Sequence, residues 1–354
     1  IRIGLPMPKS GLQFEIRAVE DPYNCNTSRI TGLTSPRTGT VSVYRRPLPA
    51  ANLGFLTTFM WDGREPNLVS QAIDATLGHA QAKTAPTRAQ QLQIVGFEGC
   101  SRADTPEICA AIPANAGTFT AQIFDNRAFF LDDTADGGPV DLPLQAAEFF
   151  VGINDPFGKN PKQTPFRPQV FSLFDMWSNL PGNSSRTAAR KSIARGEALF
   201  NNTKIAISGV GGLNDVLGKE TIQGFCGTCH DTPAVGNHSV AAPLNIGVAD
   251  AGANRPPGLD ISGLPVFAIW CKAGPLAGKL FEVTDPGRAL VTGQCADIGK
   301  VKGPILRGLA ARAPYFNNGS AATLRDVVEF YDRRFQLGFS NDEKADLVAF
   351  LNSL

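Results

Sequence analysis

The chain has 354 residues, and its 33 Lys and Arg nearly balance its 32 Asp and Glu, leaving a formal net charge of +1. No basic excess exists to displace counterions, which excludes a nucleic-acid binder working through bulk charge. With 43% hydrophobic residues the chain is too apolar for disorder, and 36 Gly with 26 Pro make it rich in turns.

Residues 1–60 are punctuated by Pro6, Pro8, Pro22, Pro36, Pro47 and Pro49, which predicts short strands and loops. Trp61-Asp62-Gly63-Arg64 then precedes a predicted helix with Leu68, Ala72 and Ala75 at helical spacing. Residues 98–170 read as irregular. The run Leu180-Pro181-Gly182-Asn183-Ser184-Ser185 reads as a linker, dividing the chain into units 1–185 and 186–354. Beyond it, 186–200 predicts a helix in which Gly196 is costly, and close approach of another backbone would account for it. A further helix is expected at 324–331. The last helix opens on a capping box, Ser340 with Glu343, and presents Leu347, Phe350, Leu351 and Leu354 on one face. No apolar run approaches the ~20 residues of a membrane helix, so no span is expected. The chain opens at Ile1 with neither Met nor a leader, and the expectation is that an upstream segment has been removed.

One motif is strong. Cys226-Gly227-Thr228-Cys229-His230 is C-x-x-C-H, the attachment signature of c-type haem. Two thiols add to the two vinyl groups of one porphyrin, and the adjacent His reaches iron from the same side. At this composition the pattern would arise by chance about 0.001 times per chain. A zinc site needs a second ligand pair, and a redox Cys pair wants a βαβ setting; neither is evident. The motif therefore predicts haem c on Cys226 and Cys229 with His230 as proximal iron ligand. Such attachment implies a periplasmic or otherwise exported protein, in which the other cysteines oxidise. Cys100 with Cys109 and Cys271 with Cys295 are the expected bridges, leaving Cys25 over. Met7, Met60 and Met176 all precede the motif, so a Met ligand from the same unit is excluded. His238, Tyr315, Tyr331 and some lysines remain. His238 reads as a loop histidine, and Tyr331 as a core aromatic or a ligand.

Two further segments carry a resemblance. Lys302-Gly303-Pro304-Ile305-Leu306-Arg307 with Ala313-Pro314-Tyr315-Phe316-Asn317, and Trp61-Asp62-Gly63-Arg64 with Gln71-Ala72, resemble the bacterial di-haem cytochrome c peroxidase and MauG-like superfamily. The resemblance implies a mainly α protein with long irregular loops, built as two cytochrome c-like domains. It implies that Trp61 bridges two haems and that Tyr331, fourteen residues after Asn317, is the distal ligand, as in MauG. The departures are informative. Asn317 stands where the family has His, and Gln81 where it has a pocket Glu, with His79 two residues away as a substitute base or ligand. Arg46 stands at an Asn that helps hold calcium, and a fixed cation there could replace the metal, so calcium is not expected with any force. The first haem motif is missing; Cys25 stands in its region without a second Cys or a following His. A second haem would then belong to a segment outside this chain.

The expectation is a periplasmic c-type haem redox enzyme that passes electrons through the His230 haem. Peroxide would react at a second haem near Trp61, Gln71, His79 and Gln81. The alternative is a mono-haem electron-transfer subunit with a non-catalytic N-terminal unit. Expected partners are a redox protein or an upstream haem-bearing segment, with a homo-oligomer left open.

Overall fold

The computed structural model describes residues 2–26, 40–49, 53, 56, 58–98, 157, 163, 165–230 and 242–354. Strands β1 (Arg2–Pro6), β2 (Phe14–Glu20) and β3 (Thr40–Tyr44) open the chain. Helix α1 (Leu68–Asp74) is capped by Asn67, whose side chain accepts the Ser70 N–H at 2.8 Å, and passes into a π-turn over Ala75–His79. Helix α2 (Arg88–Glu98) follows. After the linker come α3 (Ser185–Asn202), β4 (Ile205–Ser208), α4 (Asn214–Leu217) and β5 (Thr221–Gly224). The last part holds β6 (Val266–Cys271), β7 (Leu280–Val283), α5 (Ala289–Thr292), α6 (Leu324–Phe335) and α7 (Asn341–Leu351).

The mainly α expectation is corrected. Among the described residues seven α-helices stand beside seven strands in three antiparallel sheets, so the fold is mixed α/β. Two cytochrome c-like domains are not delineated. The reason lies in β6, where Phe267, Ile269 and Cys271 turn inward and alternate with partly exposed residues, the period of a half-buried strand. It is the centre of the sheet β2–β6–β7, with Phe14 opposite Cys271 and Phe267 opposite Val283. β1 with β3 and β4 with β5 make the two smaller sheets. Strand pairing thus joins residues 14–20 to residues 266–271 across the 185/186 division. The bridge Cys271–Cys295, with Cα atoms 6.0 Å apart, ties the sheet to the segment after α5.

A second core lies between α3 and α7. A Cβ added at Gly196 would sit 2.1 Å from the Asp346 carbonyl oxygen and 2.6 Å from the Phe350 Cβ, so only glycine lets the two helices approach this closely. Phe350 then packs edge-on against Phe171, with ring centroids 5.2 Å apart. Residues 170–177 are pinned to α3 by two of its side chains. Asn201 Oδ1 accepts the Val170 N–H at 3.0 Å, and the Glu197 carboxyl accepts those of Leu173 and Phe174 at 2.9 and 3.1 Å. The capping box on α7 is present: Ser340 Oγ accepts the Glu343 N–H, and Glu343 returns to the Ser340 N–H at 2.8 Å. α6 carries a second, Thr323 with Asp326. No helix among the described residues is long and apolar enough to cross a membrane.

Candidate functional site

The Cys226–His230 segment forms a tight turn directly after β5. The Cys226 carbonyl accepts the N–H groups of both Cys229 (3.2 Å) and His230 (3.0 Å), and Thr228 Oγ1 accepts that of Phe225 at 3.0 Å. Small residues are required on both sides of the turn. A Cβ at Gly224 would lie 2.6 Å from Thr228 Oγ1, and one at Gly227 would lie 2.5 Å from the Val170 side chain. The turn therefore brings Cys226, Cys229 and His230 to the wall of one cavity.

That cavity measures about 230 Å³ and is almost entirely apolar. Phe200 from α3, Ile205 and Ile207 from β4, Val327 and Val328 from α6, and Leu347 and Leu351 from α7 all line it. So do Trp61 and Tyr331. Burial pushes the His230 imidazole down to about 4, so it stands neutral at physiological pH, the form that ligates metals. Its buried Nδ1 has no hydrogen-bond partner among the described residues. Burial pushes the Cys226 thiol up to about 12, unlike a redox-active cysteine, whose thiol is lowered. The Tyr331 phenol is also raised, first by burial and then by the neighbouring Cys229 and Cys226. An apolar cavity with two thiols and a neutral imidazole on its wall fits a covalently attached haem, and the His230 Nδ1, unpartnered among the described residues, is a polar atom that such a group's surroundings have still to satisfy.

Behind Trp61 lies a buried ionic network. Arg45 donates to Asp62 at 2.7 Å and makes a two-pronged pair with Asp285 at 2.8 and 2.9 Å. Arg64 also binds Asp62, and Arg288 donates to the Asp62 carbonyl at 2.9 Å. Arg45 and Arg64 hold the Asp62 carboxyl well below its ordinary range against the opposing effect of burial. Trp61 itself donates Nε1–H to the Arg46 carbonyl at 2.6 Å and accepts the Lys302 N–H at its own carbonyl at 2.6 Å.

The remaining sequence candidates are dispersed. Asn317 lines the cavity, with Nδ2 donating to Asp285 at 3.1 Å and Oδ1 buried without a partner among the described residues. Arg46 also lines it and donates Nη2–H to the carbonyls of Arg312 (3.1 Å) and Ala313 (3.2 Å). Gln71 is half-buried on α1, its Oε1 without a partner among the described residues, and does not line the cavity. His79 and Gln81 are exposed at the end of the π-turn, where Gln81 takes a left-handed φ of 54°. Neither lines the cavity. Tyr315 lines it but spends its hydroxyl on the Leu309 carbonyl at 2.7 Å. His238, Cys100 and Cys109 lie outside the described residues. Sequence reading missed Arg312 and the roles of Arg45 and Asp285. The pair Arg45-Arg46 beside a Trp-Asp-Gly-Arg turn was the available signal for the latter.

No family model matches the chain. It is 37% identical over 99 residues to the cytochrome c551 peroxidase of Nitrosomonas europaea, covering 24% of this chain and 30% of that protein. It is 31% identical over 144 residues to the cytochrome-c peroxidase IdrP2 of Denitromonas iodatirespirans, covering 38% and 37%. The chain thus matches about a third of the length of these curated relatives. A solved structure described as a MauG-like protein associated with microbial copper homeostasis aligns over 89% of this chain and 74% of that one, at 18% identity and a TM-score of 0.41. The chain is similar to a class of haem redox enzymes. Within that class its likeness, over part of the chain, is to the cytochrome c peroxidases.

Proposed function

We propose that this chain is an exported c-type haem redox protein, with haem attached through Cys226 and Cys229, His230 as proximal ligand and Tyr331 as distal ligand. The observation that carries the reading is the convergence of both thiols, the neutral imidazole, Tyr331 and Trp61 on one apolar cavity. Haem, when bound, supplies one-electron chemistry at iron. The chain's own part is to anchor, orient and exclude water. Cys226 and Cys229 would anchor the ring through thioether bonds, and the apolar walls from β4, α6 and α7 would keep the site dry. Trp61, clamped at both its indole N–H and its carbonyl, is a fixed aromatic wall that would stand between this site and a second haem. That haem would come from an upstream segment or a partner, and peroxide would react there. Arg46, seated on two carbonyls, supplies a fixed cation in place of calcium. Export is supported by the Cys271–Cys295 bridge.

The second reading, an electron-transfer subunit without its own peroxide chemistry, is favoured by one observation: His79 and Gln81, the residues expected to position peroxide, are exposed. Intact mass and a pyridine haemochrome assay decide both questions. One haem increment per chain, lost in the Cys226→Ser/Cys229→Ser double variant, is expected, and no added mass refutes the proposal. Oxidation of the iron by hydrogen peroxide, weakened in Gln71→Ala, supports the enzyme. Indifference to peroxide supports the carrier.

A further inference from the structure

Three cations line the cavity, Arg46, Lys302 and Arg312, and among the described residues no Asp or Glu lines it. Their situation differs from that of Arg45, one residue away, whose guanidinium is fully taken up by Asp62 and Asp285. Among the described residues the hydrogen-bond partners of Arg46 and Arg312 are all carbonyl oxygens: Arg46 holds those of residues 312 and 313, and Arg312 holds that of Ile305 at 3.0 Å. Lys302 is buried, its ammonium on the Thr58 carbonyl at 3.1 Å. The cations also sit together. The hydrogen bond from Arg46 to the Arg312 carbonyl joins two of them, and Trp61 links the third, accepting from the Lys302 N–H and donating to the Arg46 carbonyl. Burial, and then the charge of Arg46, push the Arg312 guanidinium down, and Lys302 is lowered to about 7 by burial. Like charges gathered at an apolar wall without a counter-charge are costly unless an anion completes them.

We infer that Arg46 and Arg312, with Lys302 beside them, form an anion-receiving edge that holds the carboxylates of the haem seated in this cavity. The inference rests on the haem reading above and adds the orientation of the group. The thiols grip one side of the ring, and the carboxylate side turns toward Arg46 and Arg312. Guanidinium groups suit that task because their planar donors match a carboxylate.

The test uses the full-length haem-loaded protein and redox titration between pH 5 and 9. Loss of a cation makes adding an electron harder and raises the proton affinity of the carboxylate. Arg46→Gln and Arg312→Gln should therefore each lower the midpoint potential. Each should also move the pH-dependent segment up by about one unit, a tenfold change in proton affinity. Arg46→Lys and Arg312→Lys, which keep the charge but break the planar contacts, should restore both quantities, as a merely structural role would not. Arg17→Gln, on exposed β2, should change neither. Unchanged potentials in both Gln variants, with haem still attached, overturn the carboxylate edge and leave the haem site standing. A parent protein carrying no haem overturns both.

Discussion

The Trp61 indole N–H and the Arg46 carbonyl meet at 2.6 Å, and Lys302 closes the other side of the same residue through its backbone N–H. One aromatic side chain is thereby fixed between two segments more than two hundred residues apart in sequence, and both segments line the cavity. Trp61→Phe keeps the ring but strands the Arg46 carbonyl. A buried acceptor left unmet costs about 1–3 kcal/mol. Urea unfolding of the variant should show that loss with haem attachment intact. Electron exchange with a second haem, where one is supplied, should slow. A variant as stable as the parent would mean that the indole hydrogen bond does not hold the wall.

Gly196→Ala tests the contact between α3 and α7. The added methyl would have to share space with the Asp346 carbonyl, and backbone cannot step aside as a flexible side chain can. Overpacking of this kind costs about 3 kcal/mol, and the displaced helices would move Phe200 and Leu351 at the cavity wall. Thermal unfolding should show a drop of several degrees. An unshifted melting temperature would show that the helices part freely.

Legibility in the sequence followed the range of the interaction. Local devices could be read: the Ser340 cap, the close approach at Gly196, the spacing of Cys271 and Cys295, and the C-x-x-C-H turn. The strand β6 was missed because Val266-Phe267-Ala268-Ile269-Trp270-Cys271 is apolar on both faces. Its alternation becomes visible only once Phe14 and Val283 flank it. The cavity was less legible still, since its walls are drawn from residues 46–351 and depend on tertiary packing. The placement of His79 and Gln81 was not legible either: they follow Gln71 closely in sequence, and the π-turn with the left-handed backbone at Gln81 sets both at the surface.

Glu197 gives stability a pH dependence. Burial raises its carboxyl from the ordinary 4.5 to about 8, the nearby Asp175 adds to the rise, and the N–H groups of Phe174 and Leu173 oppose it. The folded chain therefore holds a proton that the unfolded chain has released. Its contribution to stability is complete below pH 4.5 and is lost as the pH climbs to about 8. The loss is of the order of 3–5 kcal/mol. Glu197→Gln carries no such charge. At pH 5 it should be about 1 kcal/mol less stable than the parent, having one acceptor fewer. At pH 9 it should be the more stable of the two. Parallel stability curves for both proteins across this range would exclude a buried, protonated Glu197.

Tyr331 separates a ligand from a core aromatic. Its ring stacks on Phe335 with centroids 6.2 Å apart and meets Phe330 edge-on at 5.4 Å, contacts that a phenylalanine would keep. Its hydroxyl has no hydrogen-bond partner among the described residues, and the residue lines the cavity. Tyr331→Phe should therefore cost about 0.5 kcal/mol or less in stability. Its effect on the iron should be large by comparison. A phenol raised by burial ionises only when a cation compensates it, and ferric iron is such a cation. The parent protein should show a low-spin ferric spectrum without the charge-transfer band of a methionine ligand. The variant should lose that spectrum and bind cyanide at least tenfold faster, with Tm almost unchanged. If the optical spectrum and the cyanide rate stay as in the parent, the sixth position belongs to His238 or to a lysine, and Tyr331 is only part of the wall.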